Sequence, residues 1–320
     1  CVRAAEPVVV DTGYPIVDTG QFNCYDDIGG YTTTPPQPGQ AFAGQDAQYA
    51  GTQPGYTVYT HGVILDLNTG LMWQQTPDLA DKVSFADAVA EAETLSLGGF
   101  SDWRLPTIKE LYSLMDFSGD TGQSEDDAIP YLNTNYFDFA YGNPATERYI
   151  DAQYWSATEY VGTTMNGDDT VFGVNFADGR IKGYPKVRPA GEGDNRSFVR
   201  YVRGNPAYGI NDFVDNGDGT VTDRGTGLMW QQGDSGVTQN WEQALAYAEG
   251  LDLGGFRDWR LPNAKELQGV VDYTRAPSVT GSAAIDTNFF TVTETESFYW
   301  TSTTHLDGAP ATRGNYAVYI

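Results

Sequence analysis

Apolar residues recur at helical spacing in two stretches of the chain. In "SFADAVAEAETLSL" (84–97), Phe85, Val89, Ala92 and Leu95 share one face, Ser84 stands as N-cap, and Asp87 follows three residues on. In "NWEQALAYAEGLDL" (240–253), Asn240 caps a helix whose face carries Trp241, Leu245, Ala248 and Leu251. Gly98-Gly99 and Gly254-Gly255 are expected to stop these helices. A short second helix is predicted after each, opened by Thr107 with Glu110 and by Asn263 with Glu266; Leu111 with Leu114 or Met115 supplies its buried stripe. Elsewhere the pattern is short and strand-like. "TVFGVNFADGRIKGY" (170–184) predicts a hairpin turning at Ala177-Asp178-Gly179, and "SFVRYVRG" (197–204) a closing strand. Two helices set among short strands predict an α+β domain.

The pattern occurs twice. "TGLMWQQ" stands at 69–75 and 226–232, "DWRLP" at 102–106 and 258–262, and "YWSAT" (154–158) is answered by "YWTST" (299–303). Trp73 and Trp230 are 157 residues apart, Trp103 and Trp259 156. So long a period means tandem globular domains rather than a solenoid. The expected organisation is an extended N-terminal β arm and linker over 1–55, one domain over 56–204, and a second over 205–320. Copy 2 stops at "NYAVYI" (315–320), and counterparts of "FADGRIKGY" and "SFVRYVRG" do not follow it.

The order GLMWQ, GGF-x-DWRLP, KEL, YW and FVR-x-VRG resembles the DUF1566 family, also called the Lcl C-terminal domain family. The resemblance implies two compact domains related to C-type-lectin-like folds. It also implies bacterial surface proteins, often lipoproteins, one of which is an adhesin that binds sulfated glycosaminoglycans. Where family members often carry cysteines, this chain has Ala92 or Glu93, and Tyr201.

Charge narrows the partners. The chain has 18 basic and 43 acidic residues, a net charge of −25. Such a surface repels nucleic acid and sulfated chains. No run of about 18 apolar residues could form a membrane-spanning helix. The two cysteines, Cys1 and Cys24, fit neither a zinc ribbon nor c-type haem attachment. Two readings of Cys1 stand: a lipid-modified residue left by signal cleavage, or a Cys1–Cys24 disulfide. Both place the protein outside the cytoplasm, and the family resemblance implies a bacterial protein that is extracellular or on the outer cell surface.

Asp102, Arg104, Lys109 and Glu110, repeated as Asp258, Arg260, Lys265 and Glu266, could be an active site or a fold signature. No Ser-His-Asp set is duplicated, and His61 and His305 fall at unrelated places. We therefore read Asp102, Arg104, Asp258 and Arg260 as structural, together with Trp73, Trp103, Trp155, Trp230, Trp259 and Trp300, and expect neither an enzyme nor a cofactor. Asp215, Asp218 and Asp223 in "DNGDGTVTD" could hold calcium, but the twelfth position is Thr226, not Glu; a hairpin turn before the strand "TVTD" is the alternative. Finally, the arm carries strand-forming sequence, "EPVVVDTGYPIVDTG" (6–20), with Val8, Val10 and Ile16 as inward positions. A strand donated to the next subunit's second domain would make a head-to-tail homopolymer, a surface filament. The alternative is a surface lipoprotein that binds glycan, host or matrix components.

Overall fold

The computed structural model describes the chain apart from residues 5–12, 27–30, 33, 165–166, 189–191, 308 and 310–312. It opens with three short strands, β1 (Val2–Ala4), β2 (Cys24–Tyr25) and β3 (Tyr31–Thr32). Residues Pro54–Tyr208 form one unit, called continuous below. Cys1–Gln53 and Gly209–Ile320 together form the other, called permuted.

In the continuous unit, β4 (Tyr56–Thr60), β5 (Val63–Asp66) and β6 (Met72–Gln74) form an antiparallel meander. The two-residue strand β7 (Val83–Ser84) leads into α1 (Phe85–Thr94), and α2 (Ile108–Ser113) follows the DWRLP segment. A long hairpin of β8 (Gln153–Thr164) and β9 (Asp168–Asn175) is extended by β10 (Arg180–Pro185). The chain then returns through β11 (Arg196–Ser197), which pairs with β7, and β12 (Val202–Arg203), which pairs with β6. Trp103, Trp155, Val63, Ala88, Ala92, Leu105 and Tyr201 fill the core between helix and strands.

The permuted unit repeats the plan with β13 (Phe213–Asp215), β14 (Thr220–Asp223), β15 (Leu228–Gln231), α3 (Trp241–Glu249) and α4 (Ala264–Gly269). After the one-turn α5 (Pro277–Thr280), β16 (Trp300–His305) pairs with β17 (Tyr316–Tyr319). The correspondence extends to ring geometry. Tyr56 meets Phe137 edge-on at 5.0 Å in one unit, and Phe213 meets Phe290 edge-on at 5.0 Å in the other. The α+β expectation of small antiparallel sheets with few helices holds for both units.

The N-cap expectations hold, although at Ser84 the Asp87 carboxylate accepts from the Ser84 hydroxyl, at 2.8 Å, rather than completing a capping box. The Thr107 and Asn263 side chains accept from the Glu110 and Glu266 amides, and both glutamates return the bond. Two expectations are corrected. Val89 lies on the exposed side of α1, whose buried residues are Ala88 and Ala92. The glycine pairs do not cap the helices: α1 and α3 end before them, at Leu95 and Gly250. Gly98-Gly99 instead turn a tight hairpin in which Leu97 and Phe100 exchange both backbone hydrogen bonds. Both glycines have positive φ, +64° and +85°, as such a two-residue turn requires. Gly254-Gly255 repeat it between Leu253 and Phe256.

The N-terminal segment is not a separate arm. Its described residues are fastened to the permuted unit at several points. Gln21 exchanges two hydrogen bonds with the Thr304 backbone, at 2.7 and 2.9 Å. Lys265 donates to the Asp18 carbonyl at 2.9 Å. The buried carboxylate of Asp46 accepts from Thr19 and Thr303 at 2.7 and 2.6 Å. Cys24 is buried in β2 and Cys1 packs beside α3, and both are thiols; the Cys1–Cys24 disulfide expected as one alternative is not formed. Burial pushes the Cys24 thiol pKa up, away from the reactive thiolate.

Candidate functional site: the closing-strand slot

The DWRLP block is one hydrogen-bonded unit, built the same way twice. Trp103 packs in the core and donates its indole N–H to the Leu97 carbonyl at 3.2 Å; Trp259 does the same to Leu253 at 3.2 Å. Arg104 reaches Glu110 with both terminal nitrogens, at 2.7 and 2.6 Å, and Arg260 reaches Glu266 at the same two distances. Each glutamate is also the capping-box residue of the helix that follows. The Arg and Glu that a catalytic reading requires are thus bound to each other, fixing how strand passes into helix.

The remaining acid of the block grips a strand. In the continuous unit β12 closes the sheet: Val202 lies opposite Trp73 and exchanges two backbone bonds with Arg104, both 2.9 Å. Arg203 donates to Asp102 at 2.7 and 3.0 Å while its guanidinium lies 3.7 Å from the Phe100 ring centroid. In the permuted unit this place is taken by β1, from the other end of the sequence. Val2 lies opposite Trp230 and exchanges two backbone bonds with Arg260, both 3.0 Å. Arg3 donates to Asp258 at 2.9 and 3.2 Å, with its guanidinium 3.8 Å from the Phe256 ring centroid. Even the methionine contacts repeat, Arg203 to Met72 and Arg3 to Met229. The arginines hold the Asp102 and Asp258 carboxyls below their ordinary pKa through these bonds.

Copy 2 therefore has a closing strand, contrary to the sequence expectation, and "VRA" (2–4) plays the part of "VRG" (202–204). Val2 is fully buried. Removing such a side chain from water is worth roughly 1.5–3 kcal/mol. Cys1 follows suit: it occupies the position of Tyr201, beside Ala244, Leu245, Ala248 and Leu261.

The other candidates fall as follows. Trp73, Trp103, Trp155, Trp230 and Trp259 are buried as expected, while Trp300 is only half-buried. The Trp155 and Trp300 indoles nevertheless make matching bonds, to the Val83 and Gln239 carbonyls, both 3.0 Å. Of the proposed inward positions, Val8 and Val10 lie outside the described residues, and Ile16 reaches Gly269 of α4. Asp215 and Asp223 sit at opposite ends of the β13–β14 ladder. Asp223 is buried, and its oxygens accept from Asp212, Gly225, Asn211 and Thr226. Asp215 and Asp218 cap the intervening turn at Gly217 and Thr220. Among the described residues, no three His, Cys, Asp or Glu side chains are grouped to hold a metal. No described helix is long and apolar enough to cross a membrane.

A family model for the Lcl C-terminal domain matches residues 62–203 and 219–319, well over half of the chain. The chain belongs to the Lcl C-terminal domain family. Neither a curated protein nor a solved structure matches it. The two family matches cover β5 to β12 and most of β14 to β17, so the second Lcl domain is matched without the strand that closes it. That strand, Val2 and Arg3, is the part sequence reading missed. The signal was the short likeness of "CVRAAEP" (1–7) to "YVRGNPA" (201–207).

Proposed function

We propose that this chain is a non-enzymatic structural protein of the bacterial exterior, a subunit of a head-to-tail filament in which the strand closing the second Lcl domain is exchanged between copies. One observation carries this reading. The slot between β15 and the DWRLP segment accepts a strand that is not continuous with its own domain, through the same contacts that β12 makes from within. A β1 from a second copy offers those contacts unchanged. Donor and slot are different surfaces, more than 220 residues apart in sequence; passed in one direction from copy to copy, the exchange is head-to-tail and closes into a ring or propagates as a filament, whereas a reciprocal swap stops at a dimer. The structural reading of the chemistry agrees, since the duplicated Asp, Arg and Glu are absorbed in holding strand and helix.

The test is a cross-link across the slot. Ala4 lies opposite Leu228. Ala4→Cys with Leu228→Cys, in a Cys1→Ser, Cys24→Ser background, is oxidised in the assembled protein. Exchange gives a reductant-sensitive ladder of multiples of the chain on denaturing gels, and negative-stain images show filaments. A single internally cross-linked monomer overturns exchange.

A second reading rests on exposed rings. Phe22, Phe298 and Tyr319 are 73, 72 and 52% exposed, which suits an adhesive, lectin-like surface protein. A glycan array run with and without calcium tests it; the charge of −25 predicts that sulfated chains do not bind.

A further inference from the structure

The two Lcl domains differ in one built feature. Phe137 and Phe290 are equivalent, as are Trp155 and Trp300, yet 18 residues separate the first pair and 10 the second. The additional residues fall in "FAYGNPATERY" (139–149), and the permuted unit folds to the same plan without them.

This insertion is closely packed. Gly142 donates to the Tyr149 carbonyl at 2.8 Å, and a Cβ on it would stand 2.2 Å from the Arg148 carbonyl oxygen, so only glycine fits. The Asn143 amide N–H donates to Glu147, and its side-chain oxygen accepts from Ala145. Tyr149 donates to the Thr121 carbonyl at 3.3 Å and its ring stacks on Tyr141 at 6.0 Å.

Folded in this way, the insertion walls a surface cleft of about 730 Å³. Its lining joins the rings of Phe137, Phe139 and Tyr141 to the carboxylates of Glu125 and Asp138 and the amide of Asn143. No Lys, Arg or His lines it. Phe139 and Tyr141 meet edge to face at 4.9 Å, forming an aromatic corner. The Tyr141 hydroxyl oxygen is buried and, among the described residues, has no hydrogen-bond partner, where proteins as a rule satisfy buried hydroxyls. Burial, with Glu125 nearby, pushes its pKa up to about 12, so it remains a neutral donor or acceptor. The cations behind the wall are engaged elsewhere. Arg200 donates to the carbonyls of Gln74, Gln75 and Asp138, Lys82 to Glu147, and Arg148 to Asp151.

We infer that this cleft binds an alkylammonium group, held over the Phe139–Tyr141 corner with Glu125 and Asp138 as counter-charges. Ring faces attract a cation through their quadrupole, and two carboxylates set the sign of what enters. The aliphatic stem lies along the rings. The site is independent of the slot in the permuted unit and of whether strands are exchanged there.

The probes are 1,5-diaminopentane, its neutral counterpart 1,5-pentanediol, and a lysine-bearing peptide beside its Nε-acetylated form, titrated calorimetrically into the whole protein. The diamine or the lysine peptide binds, and the diol and acetylated peptide do not. Binding of the diamine alone assigns a free polyamine as the source, and binding of the peptide assigns a protein partner. Glu125→Gln weakens binding about five-fold, and a rise in salt does the same. Tyr141→Phe keeps the ring and leaves binding within about two-fold, whereas Tyr141→Ala removes the corner and weakens it about five-fold. Far-ultraviolet circular dichroism and melting of each variant establish that it is folded. Equal affinity for diamine and diol, or no binding by diamine and lysine peptide alike, overturns the inference.

Discussion

The continuous and permuted units perform one construction with different chain orders. In the first, β12 follows the hairpin along the chain and is the last strand of its own domain. In the second, β1 is made first and its slot more than 220 residues later. The side-chain contacts match residue for residue, so the fold specifies a strand of given chemistry rather than a given connection. What the permuted order changes is the effective concentration of that strand, which a covalent neighbour supplies in one unit and a distant segment, or another copy, in the other.

The largest effect that separates the units is loss of the closing strand itself. Val2→Asp and Val202→Asp each bury an unpaired charge, at a cost of 4 kcal/mol or more by the usual magnitudes. Hydrogen exchange on the full chain should show loss of amide protection confined to the permuted unit, 1–53 and 209–320, for the first and to 54–208 for the second. A synthetic Cys1–Pro7 peptide restores protection to a chain lacking residues 1–4. A Val202→Asp chain gains less from the matching segment, because its own tethered strand competes for the slot at a far higher effective concentration. Protection lost equally in both units by either variant would show that the slots are not separate.

Next in size is the buried ion pair. Arg260 and Glu266 are 18 and 7% exposed, whereas Arg104 is 39% exposed beside a buried Glu110. Glu266→Gln leaves the Arg260 charge poorly compensated and should cost about 3 kcal/mol. Glu110→Gln should cost about half that, because water reaches Arg104 and takes over part of the work. Denaturant melts of the two variants check the ranking, and the reverse order would mean that exposure does not govern it.

A third difference depends on pH. The permuted unit buries Asp46, and the continuous unit has no counterpart to the segment that carries it. Burial raises the Asp46 pKa to about 6, partly opposed by the bonds from Thr303 and Thr19. The folded value lies above the unfolded one, so the folded state holds the proton more tightly. The permuted unit is then most stable below about pH 4 as far as this group is concerned, and loses about 3 kcal/mol as pH rises through 6. Asp46→Asn keeps an oxygen to accept from both threonines and removes the dependence. Melting of the permuted unit between pH 4 and 7 should flatten in that variant, and an unchanged slope would assign the titration elsewhere.

These contrasts show where the sequence was legible. The capping boxes at Thr107 and Asn263, the tryptophan core and the tandem plan follow from short-range spacing, because capping and core periodicity are local interactions. The glycine pairs were misplaced by a few residues because a helix stop and a two-residue turn draw on the same left-handed glycine. The Asp102 and Asp258 partners lie 101 and 255 residues away, and nothing local marks them. Strand β1 was missed for a related reason: three residues carry no periodicity, and a closing strand was sought only at the end of its own domain. The cleft at Tyr141 was visible only as an unequal spacing between the copies, which acquires meaning once its rings and carboxylates share a wall.

The smallest effect bears on how the slot grips its strand. Two of the partners of Arg3 are the Asp258 carboxylate and the face of Phe256. Asp258 is 64% exposed, so their ion pair lies largely in water and contributes well under 1 kcal/mol. The Arg3 side chain is itself 7% exposed, and packing it over the ring removes apolar stem from solvent. Arg3→Ala should therefore cost about 1 kcal/mol, with little change between 0.1 and 1 M salt, and Asp258→Asn less than half as much. Arg203→Ala and Asp102→Asn should repeat both values in the continuous unit, since Arg203 stacks on Phe100 at nearly the same distance. A loss for Arg3→Ala that vanishes in high salt would shift the grip from the ring to the carboxylate. A loss much larger than that of Arg203→Ala would mean that a strand without a covalent neighbour leans harder on its one long side chain.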